Sequence, residues 1–166
     1  MINVPILSSP ESRFFNNSIR ISLFNARSIG TSVKQSEINI FILDHQIDVF
    51  FIVETWLKAV GNEAKIADLT PSGYAMRSFP RANRDGGLAI IAQSHILQNI
   101  AFKSSFGFEH NSFELFQATL SLEKRSINIS VSTDLHLIAK INLPIPCLLN
   151  NCLHFWNTAI PLQVVC

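Results

Sequence analysis

Several things are scarce in this chain of 166 residues, and each scarcity excludes a class. Six glycines are too few for a collagen-like or glycine-rich repeat. The three cysteines, Cys147, Cys152 and Cys166, all lie in the last twenty positions. An odd, clustered set is not a disulfide framework and points to a reducing, intracellular setting. No run reaches the roughly 18 apolar residues of a membrane-spanning helix. The nearest stretch, Leu135 to Leu149, is interrupted by Lys140, Pro144 and Pro146. The opening "MINVPILSSPESRFF" has no basic segment ahead of an apolar one, so no secretory signal is expected. A net charge of +1 excludes a strong global field, so nucleic-acid affinity would have to come from a local patch. The expected protein is intracellular and not secreted, with nucleus and cytoplasm equally open.

What is present is a globular composition, 48% apolar and 15% charged. The length suits one domain that buries about 70% of its unfolded surface. Residues 1–17 read as a loose leader. In "IRISLFN", Ile19, Ile21 and Leu23 alternate with Arg20 and Ser22, the period of a strand that ends at Asn25. A helix is expected from near Ser32, with Ser32 and Gln35 spaced as a capping box and Ile38, Phe41 and Ile42 on one face. Val49 to Val53 is an unbroken apolar run, as in a central parallel strand covered on both sides. Strand, helix and strand make one βαβ unit, whose crossover sets the two strands parallel. Asn25 and Glu54 then both fall at the carboxyl edge of the sheet, where ligands bind in open α/β folds. Beyond them, 74–79, 87–92, 97–102, 113–120 and 126–131 read as strands of an antiparallel meander. Asp85-Gly86 and Glu123-Lys124-Arg125 supply turns. After Val131 no period is legible.

Glu54 is the leading candidate for chemistry. A carboxylate that closes an otherwise apolar strand escapes burial by projecting into a crevice past the strand end. An amide beside it, Asn25, can hold a phosphate oxygen or orient the carboxylate without adding like charge. Magnesium takes one or two carboxylates and completes its shell with water and substrate phosphate. The pair therefore amounts to half of a phosphoryl-hydrolysis site.

Four motifs then follow in order: "FNARSIG" at 24–30, "DVFFIVETWL" at 48–57, "PSGYAMRSFPR" at 71–81 and "RDGGLAII" at 84–91. Together they resemble the endonuclease/exonuclease/phosphatase superfamily, and within it the endonuclease domain of non-LTR retrotransposons. The resemblance is tight over about 19–92 and looser to Val131. It implies a truncated α/β sandwich flanked by helices, mainly the first sheet, built from one βαβ unit and an antiparallel meander. The partial domain would span 18–131, and 132–166 would be a divergent tail with no family match. By resemblance Glu54 is a ligand of the divalent metal (Mg²⁺ or Mn²⁺, weakly bound), and Asn25 belongs to the phosphate-binding, catalytic set. The implied reaction is nicking of target DNA, and the implied partners are DNA and the reverse transcriptase of the intact element. No membrane association is implied.

Three of the family's motifs are absent from these residues: Tyr-x-Pro, G-D-x-N and S-D-H. "STDLH" at 132–136 has the wrong spacing and comes too early. Losing general acid–base help costs on the order of 10²–10⁴ in rate. Losing a donor to developing charge costs on the order of 10²–10³. An inactive or barely active chain is the expectation. By the family's layout the second sheet would come largely from the missing half, leaving an apolar face on the first sheet unless the tail covers it. Arg77, Arg81 and Arg84 could touch DNA phosphates, and Arg27 could face the crevice or support the Asn25 loop. Trp56 is expected to pack beneath the catalytic loop, and Asp48 to act as a cap or turn residue. Cys147, Cys152 and His154 lack a fourth partner for a zinc set. Two rival readings stay open: a phosphatase of the same superfamily, against which N-A-R-S and E-T-W-L argue, and a non-catalytic binding protein that keeps the partial fold.

Overall fold

The computed structural model describes residues 18–81, 86–102, 115–122, 125–132, 140–142 and 160–165. The chain opens with β1 (Ser18–Asn25), α1 (Ser32–Asp44) and β2 (Val49–Val53). β1 and β2 are parallel, as the crossover requires, with Ile21 opposite Val49 and Asn25 opposite Val53. The helix cap lies one residue earlier than the capping-box expectation. Thr31 is the N-cap and its hydroxyl accepts the Lys34 N–H at 3.4 Å. Gln35 does not reach back to the cap. It is buried, and its Nε2 donates to Ile29 O at 2.8 Å.

The other end of α1 closes in a Schellman turn. Ile47 N–H bonds Ile42 O at 3.0 Å and Gln46 N–H bonds Leu43 O at 3.1 Å. Ile42 and Ile47 are both fully buried, the apolar contact that accompanies this turn. The left-handed position is held by Gln46, at φ 53, where glycine is usual. Arg20 Nη1 bonds His45 O at 3.0 Å and Gln46 Oε1 at 3.2 Å, which ties the turn to β1.

Next come α2 (Glu63–Leu69), β3 (Tyr74–Phe79) and β4 (Leu88–Gln93). Residues 97–99, expected to open the next strand, instead finish the single turn α3 (Ser94–Leu97) and its exit. β5 is only Ile100–Phe102. The hairpin of β6 (Leu115–Leu122) and β7 (Arg125–Ser132) follows, then β8 (Lys140–Asn142) and β9 (Ile160–Val165). One sheet has the order β3-β4-β2-β1-β9 and the other β5-β6-β7-β8.

Two apolar layers result. Val49, Phe51 and Val53 face the second sheet, together with Ile21 and Leu23 of β1 and Leu88 and Ile90 of β4. Phe50 and Ile52 face the helices, against Ile38, Ile42 and Leu69. Every residue of β2 is buried, as its continuous apolar run requires. Burying each such side chain contributes about 1.5–3 kcal/mol.

The expected bare face of the first sheet is covered. The strands β5, β6, β7 and β8 themselves supply a second sheet. Its inward positions Ile100, Ala118, Leu120, Ile127, Ile129 and Val131 pack on the first. The period-two alternation of Ile127, Ile129 and Val131 marks that face in the sequence. What is not visible locally is that β5 leaves the first sheet after the turn of α3. β9, from the stretch without legible period, pairs antiparallel along β1, with Ile19 opposite Val164.

Asp48 is more than a turn residue. Its Oδ2 accepts Arg20 N–H at 2.8 Å and its Oδ1 accepts Gln93 Nε2–H at 2.8 Å. It thus joins β1, β2 and β4 at the amino edge of β2, opposite the edge that ends in Glu54.

Candidate functional site

Strand pairing aligns Asn25, Val53, Leu88 and Phe79 in one row across the first sheet. Glu54 lies one residue beyond the row. With neighbouring strands about 4.8 Å apart, its Cα is within roughly 6 Å of that of Asn25. Both residues are half-buried.

Three strand-end loops are tied together at this edge by backbone hydrogen bonds. Ser28 N–H donates to Glu54 O at 2.7 Å and Ile29 N–H to Thr55 O at 3.1 Å. On the other side, Thr55 N–H donates to Gly87 O at 3.1 Å and Trp56 N–H to Gly86 O at 2.8 Å. The N-A-R-S and D-G-G motifs therefore grip the E-T-W segment from both flanks. Gly87 sits at φ 85, and a Cβ there would lie 2.9 Å from Thr55 Oγ1, so only glycine lets the flank approach this closely.

The loops are also strained. Arg27, Ser28, Glu54 and Trp56 have φ of 43, 85, 55 and 55. Non-glycine residues rarely hold such angles, and clusters of them mark sites where the surrounding structure over-determines the backbone. Here the enforcing groups are identifiable. Lys34 reaches from the first turn of α1, and its Nζ donates to Ala26 O at 2.7 Å and Ser28 O at 3.1 Å. Gln35 holds Ile29 O from beneath. Sequence reasoning missed Lys34, Thr55 and Gly87 as supports. Only the double glycine carried a local signal for one of them.

The Asn25 amide is oriented by the turn that it caps. Its Oδ1 accepts Arg27 N–H at 3.1 Å, so the NH₂ group is the end left to donate to a ligand. That polarity suits an anionic oxygen. Arg27 itself is exposed at the rim.

The other arginines differ in placement. Arg77 is paired across the sheet with Ile90, two residues below the Phe79 row. Its guanidinium carbon lies 4.5 Å over the Phe102 ring, closing the side of the sandwich by a cation–π contact. Arg81, half-buried, is two residues past Phe79 at the site edge. Arg84 lies outside the described residues, as do Cys147, Cys152 and His154.

Trp56 departs from expectation. It is not packed beneath the loop but 46% exposed, while Thr55 and Leu57 are buried at 1% and 5%. The left-handed angles at Glu54 and Trp56 break the alternation that would have turned the indole inward. Among the described residues no group of three or more His, Cys, Asp or Glu side chains is placed to hold a metal ion.

No protein-family model and no curated protein matches the chain. Solved structures do. The AP endonuclease LMAP from Leishmania major superposes on 79% of this chain with a TM-score of 0.54 and 16% sequence identity. This chain shares the fold of that AP endonuclease over the superposed part. A 3′ phosphatase from Neisseria, bound to a product DNA hairpin, matches 62% of the chain at TM-score 0.45 and 18% identity. An endonuclease/exonuclease/phosphatase from Bacteroides vulgatus matches 70% at TM-score 0.37 and 13% identity. At 16% identity the likeness to the AP endonuclease is one of fold. The chain covers 44%, 38% and 47% of these three proteins, less than half of each. Asn25 and Glu54 lie at the carboxyl ends of the parallel pair β1 and β2.

Proposed function

We propose that this chain is a partial DNA endonuclease domain of the non-LTR retrotransposon type, which binds the DNA backbone at the Asn25–Glu54 edge and hydrolyses it at or near background rate. The observation that supports this most is the clamped edge itself. An amide donor and a carboxylate stand on neighbouring parallel strand ends, held by the N-A-R-S, E-T-W and D-G-G segments that carry the resemblance.

The donor set suits only part of a metal site. Glu54 offers one carboxylate, which fits a hydrated Mg²⁺ or Mn²⁺ shared with substrate phosphate and not an ion caged by protein. When bound, such an ion supplies Lewis-acid polarisation of the scissile phosphate. The remaining roles belong to this chain's own groups. The Asn25 NH₂ donates to a non-bridging phosphate oxygen, and its other end is kept from turning by the Arg27 N–H. Arg27, Arg81 and Arg84 neutralise flanking phosphates, with Arg77 further down the side. No side chain is assigned to activate water, since the Tyr-x-Pro, G-D-x-N and S-D-H strings are absent from these residues.

The test is DNA binding and nicking by the full chain. A short duplex should bind with an affinity that falls steeply with salt. Mg²⁺ should strengthen that binding for wild type but not for Glu54→Gln, and Asn25→Ala should weaken it. Supercoiled plasmid should be nicked no faster than about the buffer rate. Binding indifferent to both residues would refute the site, and brisk Mg²⁺-dependent nicking abolished by Glu54→Gln would refute the loss of activity. The retroelement origin is checked by translating the genomic DNA beyond codon 131 in three frames. The missing strings should appear there in another frame.

A further inference from the structure

We infer that Trp56 is a stacking platform for an unpaired nucleobase at the rim of the candidate site, so that the preferred ligand is DNA with an unstacked base rather than a continuous duplex. This deepens the proposed function and rests on it.

Three observations carry the inference. The Trp56 side chain is 46% exposed, although its chain neighbours Thr55 and Leu57 are buried. Its backbone is held in a left-handed conformation, φ 55, by the bond from its N–H to Gly86 O, so the indole stands on a fixed base two residues from Glu54. A large aromatic is an uneconomical choice for such a position unless its surface is used. Finally, the loops of this edge carry more positive than negative charge, which suits a polyanion. The described residues of the loops 26–31, 54–62, 80–81 and 86–87 carry Arg27, Lys58 and Arg81 against the single acid Glu54. Cations that track a backbone, interleaved with an aromatic face, are the physical recipe for binding single-stranded nucleic acid. An apolar peptide would gain from the indole but nothing from the exposed cations Arg27 and Lys58.

The experiment uses the full chain carrying Trp156→Phe, which leaves Trp56 as the only indole of the two in the sequence. Two duplexes serve as probes, one with a single unpaired thymine and one with a tetrahydrofuran abasic unit at that position. Thymine should quench the indole emission and the abasic unit should not. Trp56→Ala should weaken binding of the thymine probe about tenfold and that of the abasic probe less than twofold, with Trp56→Phe in between. Emission unchanged on binding of the thymine probe, or equal weakening of both probes by Trp56→Ala, would overturn the inference. If Trp56→Ala does not fold, the emission of the Trp156→Phe chain and the Trp56→Phe variant decide. Failure of wild type to bind either probe would overturn the proposed function as well. Binding that depends on Asn25 and Glu54 but leaves Trp56 silent would overturn only this inference.

Discussion

Gly87→Ala tests whether the grip on the E-T-W segment is as tight as the backbone indicates. At φ 85 an alanine carries the left-handed penalty, about 1–2 kcal/mol. Its Cβ would also meet Thr55 Oγ1 at 2.9 Å, with Phe79 O and Arg81 N at 3.4 and 3.5 Å. The Thr55 hydroxyl has little freedom to yield, because Thr55 is 1% exposed and Oγ1 accepts the Leu57 N–H at 3.4 Å. Overpacking of this kind costs about 1–3 kcal/mol. The total is about 3 kcal/mol, a lowering of Tm by about 6–12 °C for a chain of this size. Gly73→Ala is the control, since Gly73 has a similar φ of 84 but nothing within 4 Å of the added Cβ. It should show the conformational part alone, about 1–2 kcal/mol. The steric part should shrink in a Thr55→Ala background, giving a coupling of about 1 kcal/mol or more in a double-mutant cycle. The assay is urea and thermal unfolding followed by circular dichroism. If Gly87→Ala costs no more than Gly73→Ala, or if the cycle shows no coupling, the close approach is wrong.

Three further outcomes are expected. Lys34→Met removes the cation from Ala26 O and Ser28 O and should cost about 1–2 kcal/mol in urea unfolding. Amide exchange at Ser28 and Ile29 should quicken with it, and unchanged exchange there would show that Lys34 does not hold the loop. Asp48→Ala strands the Arg20 N–H and the Gln93 amide at the opposite edge and should cost about 2–3 kcal/mol by the same assay. A loss below about 0.5 kcal/mol, the usual range for a surface site, would mean that water replaces the carboxylate. Gln46→Gly relieves the left-handed residue that ends α1 and should stabilise by about 0.5–1 kcal/mol even though the Arg20 contact goes, read as a rise in Tm. A fall in Tm would show that the Arg20 bond outweighs the backbone term.

Much of the frame is legible in the sequence alone. The continuous run Val49–Val53, the alternation in β1 and the helix between them are local patterns, and each follows from which faces must be buried. With the crossover rule, these patterns alone put Asn25 and Glu54 at one edge. The inward face of β7 was equally plain from Ile127, Ile129 and Val131. Other features were invisible because they depend on partners distant in the chain. Nothing near Lys34 announces that its ammonium will meet the carbonyls of Ala26 and Ser28, and nothing near Asp48 announces Gln93, 45 positions on.

By itself, then, the sequence determined the βαβ unit, its buried central strand and the candidate pair at the strand ends, because hydrophobic period and crossover handedness act over short stretches. The tertiary structure alone decided that the sheet of β5, β6, β7 and β8 covers the first one. It decided too that β9 returns to β1, and that the E-T-W segment is gripped from both sides with its indole left exposed. These are matters of which backbone groups meet across long separations. They are settled by the need to pair every buried N–H and C=O, a constraint that no local window of residues contains.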